Sequence, residues 1–188
     1  MQVTTQTAIH DTRGWLERAV IGLNLCPFAK SVHVKGQIHY VVSRAQNAQA
    51  FLTDLIFELN ALQASDPLER ATTLLIAPDC LADFLDFNDF LAEADQALVD
   101  LALDGVLQIA NLHPDYQFAG TKPDDITNFT NRSPYPTLHL LREDSIERAV
   151  EAFPEASEIF DKNIATLEKL GIEGWEKLGI PKVAHDGR

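Results

Sequence analysis

Apolar residues recur along the chain with two periods, and the alternation between them outlines the elements. Ile9, Leu16, Ala19, Val20 and Leu23 fall at helical spacing with Trp15 beside the stripe, which predicts an amphipathic helix over 5–22. Gly14 lies inside it and weakens it by about 1 kcal/mol relative to Ala. The stretch from Leu23 to Lys35 reads as a connector, because Pro27 disfavours helical geometry at Cys26. From Gln37 to Val42 the period drops to two, the signature of a strand. Ser43 with Gln46 reads as a capping box that opens a helix carrying Leu52, Leu55, Ile56, Leu59 and Leu62 on one stripe. Thr72–Ala77 is a short β-prone run suited to a buried central strand. Residues 81–103 place Phe84, Phe87, Leu91, Ala94, Leu98 and Leu101 at strong helical spacing, with Gly105 suited to the left-handed position after the last turn. Val106–Leu112 and Thr137–Arg142 are the third and fourth strands. Asp144 with Glu147 can cap a helix that Pro154 interrupts. The pattern resumes over Glu155–Leu170, stops at Gly171, and leaves Trp175 and Leu178 to pack a last short turn before a loose tail beyond Pro181.

The order α, β, α, β, α, β, long loop, β, α, α contains two β-α-β units, which argue for parallel pairing of successive strands with right-handed crossovers. The last two strands have no long helix between them and can pair antiparallel. The expected fold is therefore α/β, with α+β as the alternative: a four-stranded mixed sheet with helices packed on it. A length of 188 residues favours one domain spanning 1–188.

Composition narrows the class. Apolar content of 46% and charged content of 23% are ordinary for a soluble globular protein. No apolar run approaches the ~20 residues of a bilayer span, and no secretory signal opens the chain, so a cytoplasmic location with no membrane partner is expected. The net charge is −13 and the basic residues are scattered singly, which points away from nucleic acid. Cys26 and Cys80 are two isolated cysteines, outside any CxxC, and read as free thiols.

Candidate chemistry concentrates in the segment between the third and fourth strands. From His113 to Ser133 it is far longer than the usual connection of about 4–6 residues. It carries Tyr116, Phe118, Ile126, Phe129 and Tyr135, with Pro114, Pro123, Pro134 and Pro136, so its composition is that of an ordered loop. Ordered polar loops often bind; equally, their side chains can satisfy one another and their own backbone. His113 stands where the third strand ends, a common ligand position in α/β sheets, and has the imidazole pKa of a proton shuttle. Arg132 offers a fork that fits a carboxylate or phosphate, flanked by Asn131 and Ser133, with Asn128 one turn earlier; an internal pair to Asp115, Asp124 or Asp125 competes with that role. Thr121 with Asp124 is a possible cap for a short helix in the loop. Cys26, within Asn24-Leu25-Cys26-Pro27-Phe28, is a candidate nucleophile or a buried wall residue. His33, His39, His113 and His139 show no HxxxH or HExxH spacing, and there is no Gly-rich phosphate loop or GxSxG elbow.

The motifs NLCPFAK, HPDYQFAG, NRSPYPTLHLLRE and NIATLEKLG-x-x-GW appear together in this order. With them the chain resembles, from Trp15 to Trp175, an uncharacterised and mainly bacterial family, the domain of unknown function numbered fourteen-fifteen. The motifs fall on Asn24, Cys26, Pro27, His113, Pro114, Tyr116, Asn131, Arg132, Ser133, Pro134 and His139. The resemblance implies a small stand-alone soluble protein and brings no activity, substrate or cofactor.

The leading expectation is an enzyme acting on a small anionic metabolite. His113 and Cys26 would be its catalytic residues; Asn24, Tyr116, Asn128, Asn131, Arg132, Ser133 and His139 would bind the substrate. One rival is a non-catalytic binding or interaction protein that uses the loop over 113–136. Another is a metal- or haem-binding protein. Convergence of Cys26, His113 and Arg132 in one cleft would favour the enzyme, an exposed Tyr116/Phe118/Tyr135 patch the interaction protein, and three clustered ligand side chains the metal site.

Overall fold

The computed structural model describes residues 3–153 and 155–181. Among the described residues six α-helices, α1 (Thr5–Trp15), α2 (Ala29–Val34), α3 (Ala48–Ala64), α4 (Phe84–Asp100), α5 (Glu143–Ala152) and α6 (Ile159–Lys177), surround four strands, β1 (Ile38–Val42), β2 (Thr72–Ile76), β3 (Leu107–Leu112) and β4 (Thr137–Arg142). The strands form one mixed sheet in the order β1-β2-β4-β3. β1 and β2 pair in parallel, whereas β4 runs antiparallel to both β2 and β3. The α/β expectation holds, and the antiparallel pairing of the last two strands with it. One refinement concerns the second β-α-β unit. β2 and β3 point the same way but do not touch, because β4 lies between them.

The sheet has two different faces. On one, Leu75, Leu107, Leu138 and Leu140 pack against Phe51, Leu55, Leu59 and Leu62 of α3 and Phe87, Phe90, Ala94 and Leu98 of α4. These are the two apolar stripes of the crossover helices, and together they make the largest core. Every residue of β2 is buried, as its unbroken β-prone run requires. On the other face Trp15, Leu16, Val20 and Leu25, from α1 and the turn after it, form a second cluster with Leu167 and Trp175 of α6, and Ile38 and Tyr40 of β1 and Leu112 of β3 pack against it.

Several helix boundaries differ from the sequence expectation for local reasons. The first helix is capped by Thr4, whose hydroxyl accepts from the Thr7 N–H. It then widens into a π-helical turn over Leu16–Ile21. The Gly22 and Leu25 amides reach back five residues, to Glu17 and Val20. A Cβ at Gly22 would come within 2.3 Å of the Arg18 carbonyl oxygen, so this turn needs glycine. α3 starts later than expected: Asn47 caps it by accepting from the Ala50 N–H, while the Ser43 hydroxyl donates to Asp54 instead. α4 is capped by Asp83, and the left-handed residue after it is Ala102 rather than Gly105 alone. α5 has no side-chain cap, so the Asp144–Glu147 box does not form. Gly171 takes φ +64 and breaks α6, whose last segment packs Trp175 onto the body. Pro154 and the tail beyond Pro181 lie outside the described residues.

α2 lies within the stretch expected to be a connector. It is short, has no side-chain cap and buries none of its residues, so its pattern carries no helical stripe. No helix among the described residues is long and apolar enough to cross a membrane.

Candidate functional site

The long loop is built mostly from its own hydrogen bonds. At its start His113 is fully buried between the rings of Phe84 and Phe87 of α4, with centroids 5.3 and 5.1 Å away. Its Nδ1 accepts from the Asp115 N–H at 3.0 Å, and Nε2 faces the Leu81 carbonyl at 3.1 Å. A ring nitrogen that accepts carries no proton, so these partners assign the hydrogen to Nε2, which donates to Leu81. Tyr116 continues the aromatic row between Phe84 and Phe118. Asn128, also fully buried, accepts from the Phe118 N–H and the Thr121 hydroxyl and donates to the Lys122 carbonyl. Ser133 donates to the Tyr135 carbonyl, and the buried Tyr135 donates its phenol to Asp11. The loop's one short helix, a 3-10 turn over Ile126–Asn131, is capped by Asp125 rather than by Thr121.

Arg132 closes this assembly. Its Nε donates to the Tyr116 carbonyl at 3.1 Å, Nη2 donates to the Pro123 carbonyl, and the guanidinium lies 4.4 Å from the centroid of Phe129. Burial lowers its pKa and the Asp115 charge opposes that. Neither Asp124 nor Asp125 pairs with it. The fork therefore grips two carbonyls of the loop.

The open volume lies elsewhere. A cavity of about 650 Å³ sits on the sheet face away from α3 and α4, between the strands, the first helix and the two small helices α2 and α5. Its floor is Ile38, Leu74, Leu112, His139 and Leu141; Trp15, Leu16 and Val20 form one side; Cys26, Pro27 and Phe28 form another. α5 contributes Ile146 and Ala149, and α2 contributes Ala29 and Val32. Neither helix has a fully buried residue, although α5 is strongly amphipathic, so what their apolar faces look onto is the cavity. Phe28 and Phe153 meet edge to face at 5.9 Å and join the two walls. The Asn163 amide donates to the Leu25 carbonyl at 2.9 Å and holds the Cys26 turn against α6.

Among the described residues one charged side chain reaches this cavity, that of Arg142, and its guanidinium is used elsewhere. It donates to the carbonyls of Leu62 and Ser65 at the end of α3 and of Arg70 just before β2. The helix C-terminus supplies the negative potential there. The polar groups left are neutral: Ser31, Gln108, Thr130, Asn131, His139, Ser145 and the Cys26 thiol, with Thr72 donating its hydroxyl to the Leu140 carbonyl. Burial raises the Cys26 pKa above its usual range, although the backbone N–H groups of Phe28 and Ala29 oppose it, so the sulfur stays a thiol. Cys80 is also a free thiol, pushed up to about 11 by burial and the nearby acids Asp79 and Asp54.

His139 sits in the middle of the sheet, with Leu74 of β2 and Ala110 of β3 as its cross-strand neighbours. Burial pulls its pKa down to about 4. Its ring makes no hydrogen bond to any described residue, yet it keeps some accessible surface, which is the surface of the cavity.

Of the residues singled out in the sequence, Cys26, Asn131 and His139 therefore line one cavity. His113, Tyr116, Asn128, Arg132 and Ser133 are engaged within the loop, and Asn24 is an exposed turn residue at φ +56. Cys26, His113 and Arg132 do not meet, and Tyr135 is not part of an exposed patch. Among the described residues no three His, Cys, Asp or Glu side chains cluster as metal ligands. Sequence reasoning missed Trp15 and Gln108 as cavity residues, and missed both small helices as its walls. The unusual Trp beside rather than on the first apolar stripe was the available signal.

A family model described as a protein of unknown function (DUF1415) matches residues 7–177. No curated protein matches the chain significantly, and neither does any solved structure.

Proposed function

The chain belongs to the DUF1415 family, and we propose that it is a small-molecule binding protein whose site is the cavity beneath α2 and α5. One observation carries this reading. A volume of about 650 Å³ is left open between the sheet, the amphipathic helix α5 and the short helix α2, and its walls are apolar apart from a few neutral groups and the committed Arg142. Cavities of about 300–1,000 Å³, mostly apolar with a few placed polar groups, are the usual form of small-molecule sites. Binding has more support than acid–base or nucleophilic catalysis. Cys26 is held as a thiol, and an imidazole with a pKa near 4 is a weak base at neutral pH. The anionic substrate expected at the loop has less support, because Nε and Nη2 of Arg132 and the amide of Asn128 donate to the backbone carbonyls of Tyr116, Pro123 and Lys122.

The test uses the neutral apolar dye N-phenyl-1-naphthylamine. The wild type should bind it saturably, with about one site per chain and a rise in dye emission. Ala149→Phe fills the cavity from a helix that buries nothing. It should weaken dye binding at least tenfold with the melting temperature unchanged. A folded wild type that shows no saturable binding, or a variant that binds the dye equally well, overturns the reading.

A further inference from the structure

His139 is an imidazole that no described residue uses as a hydrogen-bond partner. Its strand neighbours on the cavity face are Thr137 and Leu141, and its cross-strand neighbours are Leu74 and Ala110. Thr137 spends its hydroxyl on the Tyr135 carbonyl. Among the described residues, the other buried groups without a partner on this side of the sheet are Thr12 Oγ1, Trp15 Nε1 and Tyr40 Oη, whose polar atoms are shut off from solvent even though the Trp15 ring forms a cavity wall. His139 differs because its ring opens onto free volume. A neutral imidazole has one N–H and one lone pair, and a buried polar group is ordinarily matched. The matching group must come from whatever fills the cavity.

The charge of that group follows from the walls. Among the described residues no carboxylate lines the cavity, and the guanidinium of Arg142 is committed to three carbonyls on the α3 side. A ligand carboxylate would be desolvated without a counter-ion. The chain's net charge of −13 also repels anions on approach. We infer, building on the binding reading above, that His139 is the polar anchor of this site and that its ligand is an uncharged, elongated apolar molecule bearing a hydrogen-bonding oxygen: an alcohol, ketone or ester. The oxygen lies against the imidazole, the hydrocarbon runs between the sheet and the helices α2 and α5, and Asn131 and Gln108 are free to meet a second neutral polar group. The Asn131 amide is weakly held, with one contact of 3.5 Å to the Asn111 carbonyl.

The experiment is displacement of N-phenyl-1-naphthylamine by a matched series, dodecan-1-ol, dodecan-2-one and dodecanoate, at neutral pH. The alcohol and the ketone should displace the dye from wild type at concentrations at least tenfold below dodecanoate. In His139→Leu the dye should still bind, while both oxygen-bearing ligands weaken by about tenfold. His139→Gln keeps a donor and an acceptor and should restore most of their affinity. Dodecanoate binding as tightly as the alcohol overturns the assignment, and so does an unchanged series in His139→Leu. A ferric-haem Soret shift present in wild type and absent in His139→Leu also overturns it, by making His139 a metal ligand. In each of those cases continued dye binding leaves the binding reading standing. If no dye binds to folded wild type, the binding reading itself has failed.

Discussion

His139 links the cavity to acid stability. Its folded pKa of about 4 lies below the unfolded value near 6.5, with burial as the cause. Above 6.5 the ring is neutral in both states and contributes no pH dependence. As pH falls from 6.5 to 4 the unfolded chain takes up a proton that the folded chain refuses, so stability drops across that window. The ceiling on the loss is about 3 kcal/mol, reduced by any water in the cavity. Denaturant unfolding of wild type and His139→Leu at pH 7.5 and 4.5 should show a smaller loss in the variant; equal losses would remove this role. Arg132 is a contrasting case, a cation whose partners are carbonyls. Arg132→Ala should cost about 2 kcal/mol, because two charge-assisted bonds and a ring contact go together. Arg132→Lys should cost about half that, and dye binding should survive in both. A variant as stable as wild type would show that the fork braces nothing. Cys26, a thiol at the cavity wall, should react with a maleimide far more slowly than an exposed cysteine. Saturating the cavity with dye should slow it further; an exposed-thiol rate with no protection by dye would place Cys26 outside the site.

At the scale of elements, α5 shows why the cavity was hidden in the sequence. Its apolar stripe was readable, and a stripe ordinarily means packing against a core. Here the stripe faces a void, and no periodicity distinguishes a core from a vacant pocket. α2 was invisible for the opposite reason, since six residues without a cap or a buried face carry no signal. The long helices and all four strands were legible because α3 and α4 present full stripes to a two-sided sheet. The long loop was legible as ordered but not in its use: nothing in the spacing of Asn128, Arg132 and Ser133 says whether their donors point at a ligand or at the backbone of Phe118, Tyr116 and Pro123. The helix caps failed where two capping residues competed within a few positions, as Ser43 did with Asn47. With so little burial, α5 should exchange its amide hydrogens orders of magnitude faster than β2, and a bound ligand should slow α5 specifically. Hydrogen exchange with and without saturating dye measures this. Exchange in α5 as slow as in β2 before ligand is added would show a wall already closed.

For the whole molecule, the decisive choice is that the last strand in sequence enters the middle of the sheet. Strand directions followed from the connections: helices carry β1 to β2 and β2 towards β3, while the loop returns the chain antiparallel. The slot that β4 takes did not follow, because local pattern does not fix which of two like-facing strands a returning strand joins. β4 pairs on both sides, carries Leu138 and Leu140 into the larger core, and turns His139 to the other face. The same six residues thus serve the core and the candidate site.

That placement has a consequence for the chain as it leaves the ribosome. With residues 1–112 alone, β2 and β3 in their native places would stand on either side of a vacancy roughly 10 Å across, two strand spacings wide. Both present unpaired N–H and C=O groups towards it, and such groups invite a strand from another chain. Only after residues 137–142 appear can the gap close. A fragment ending at residue 136 should therefore be poorly soluble, and a peptide spanning 133–143 supplied during refolding should keep it in solution. A fragment that is soluble and monomeric by itself would mean that β2 and β3 hold their edges apart without β4. The strand translated last among the four is the one that removes two open edges at once, so the exposure this fragment tests falls while the long loop is still being made.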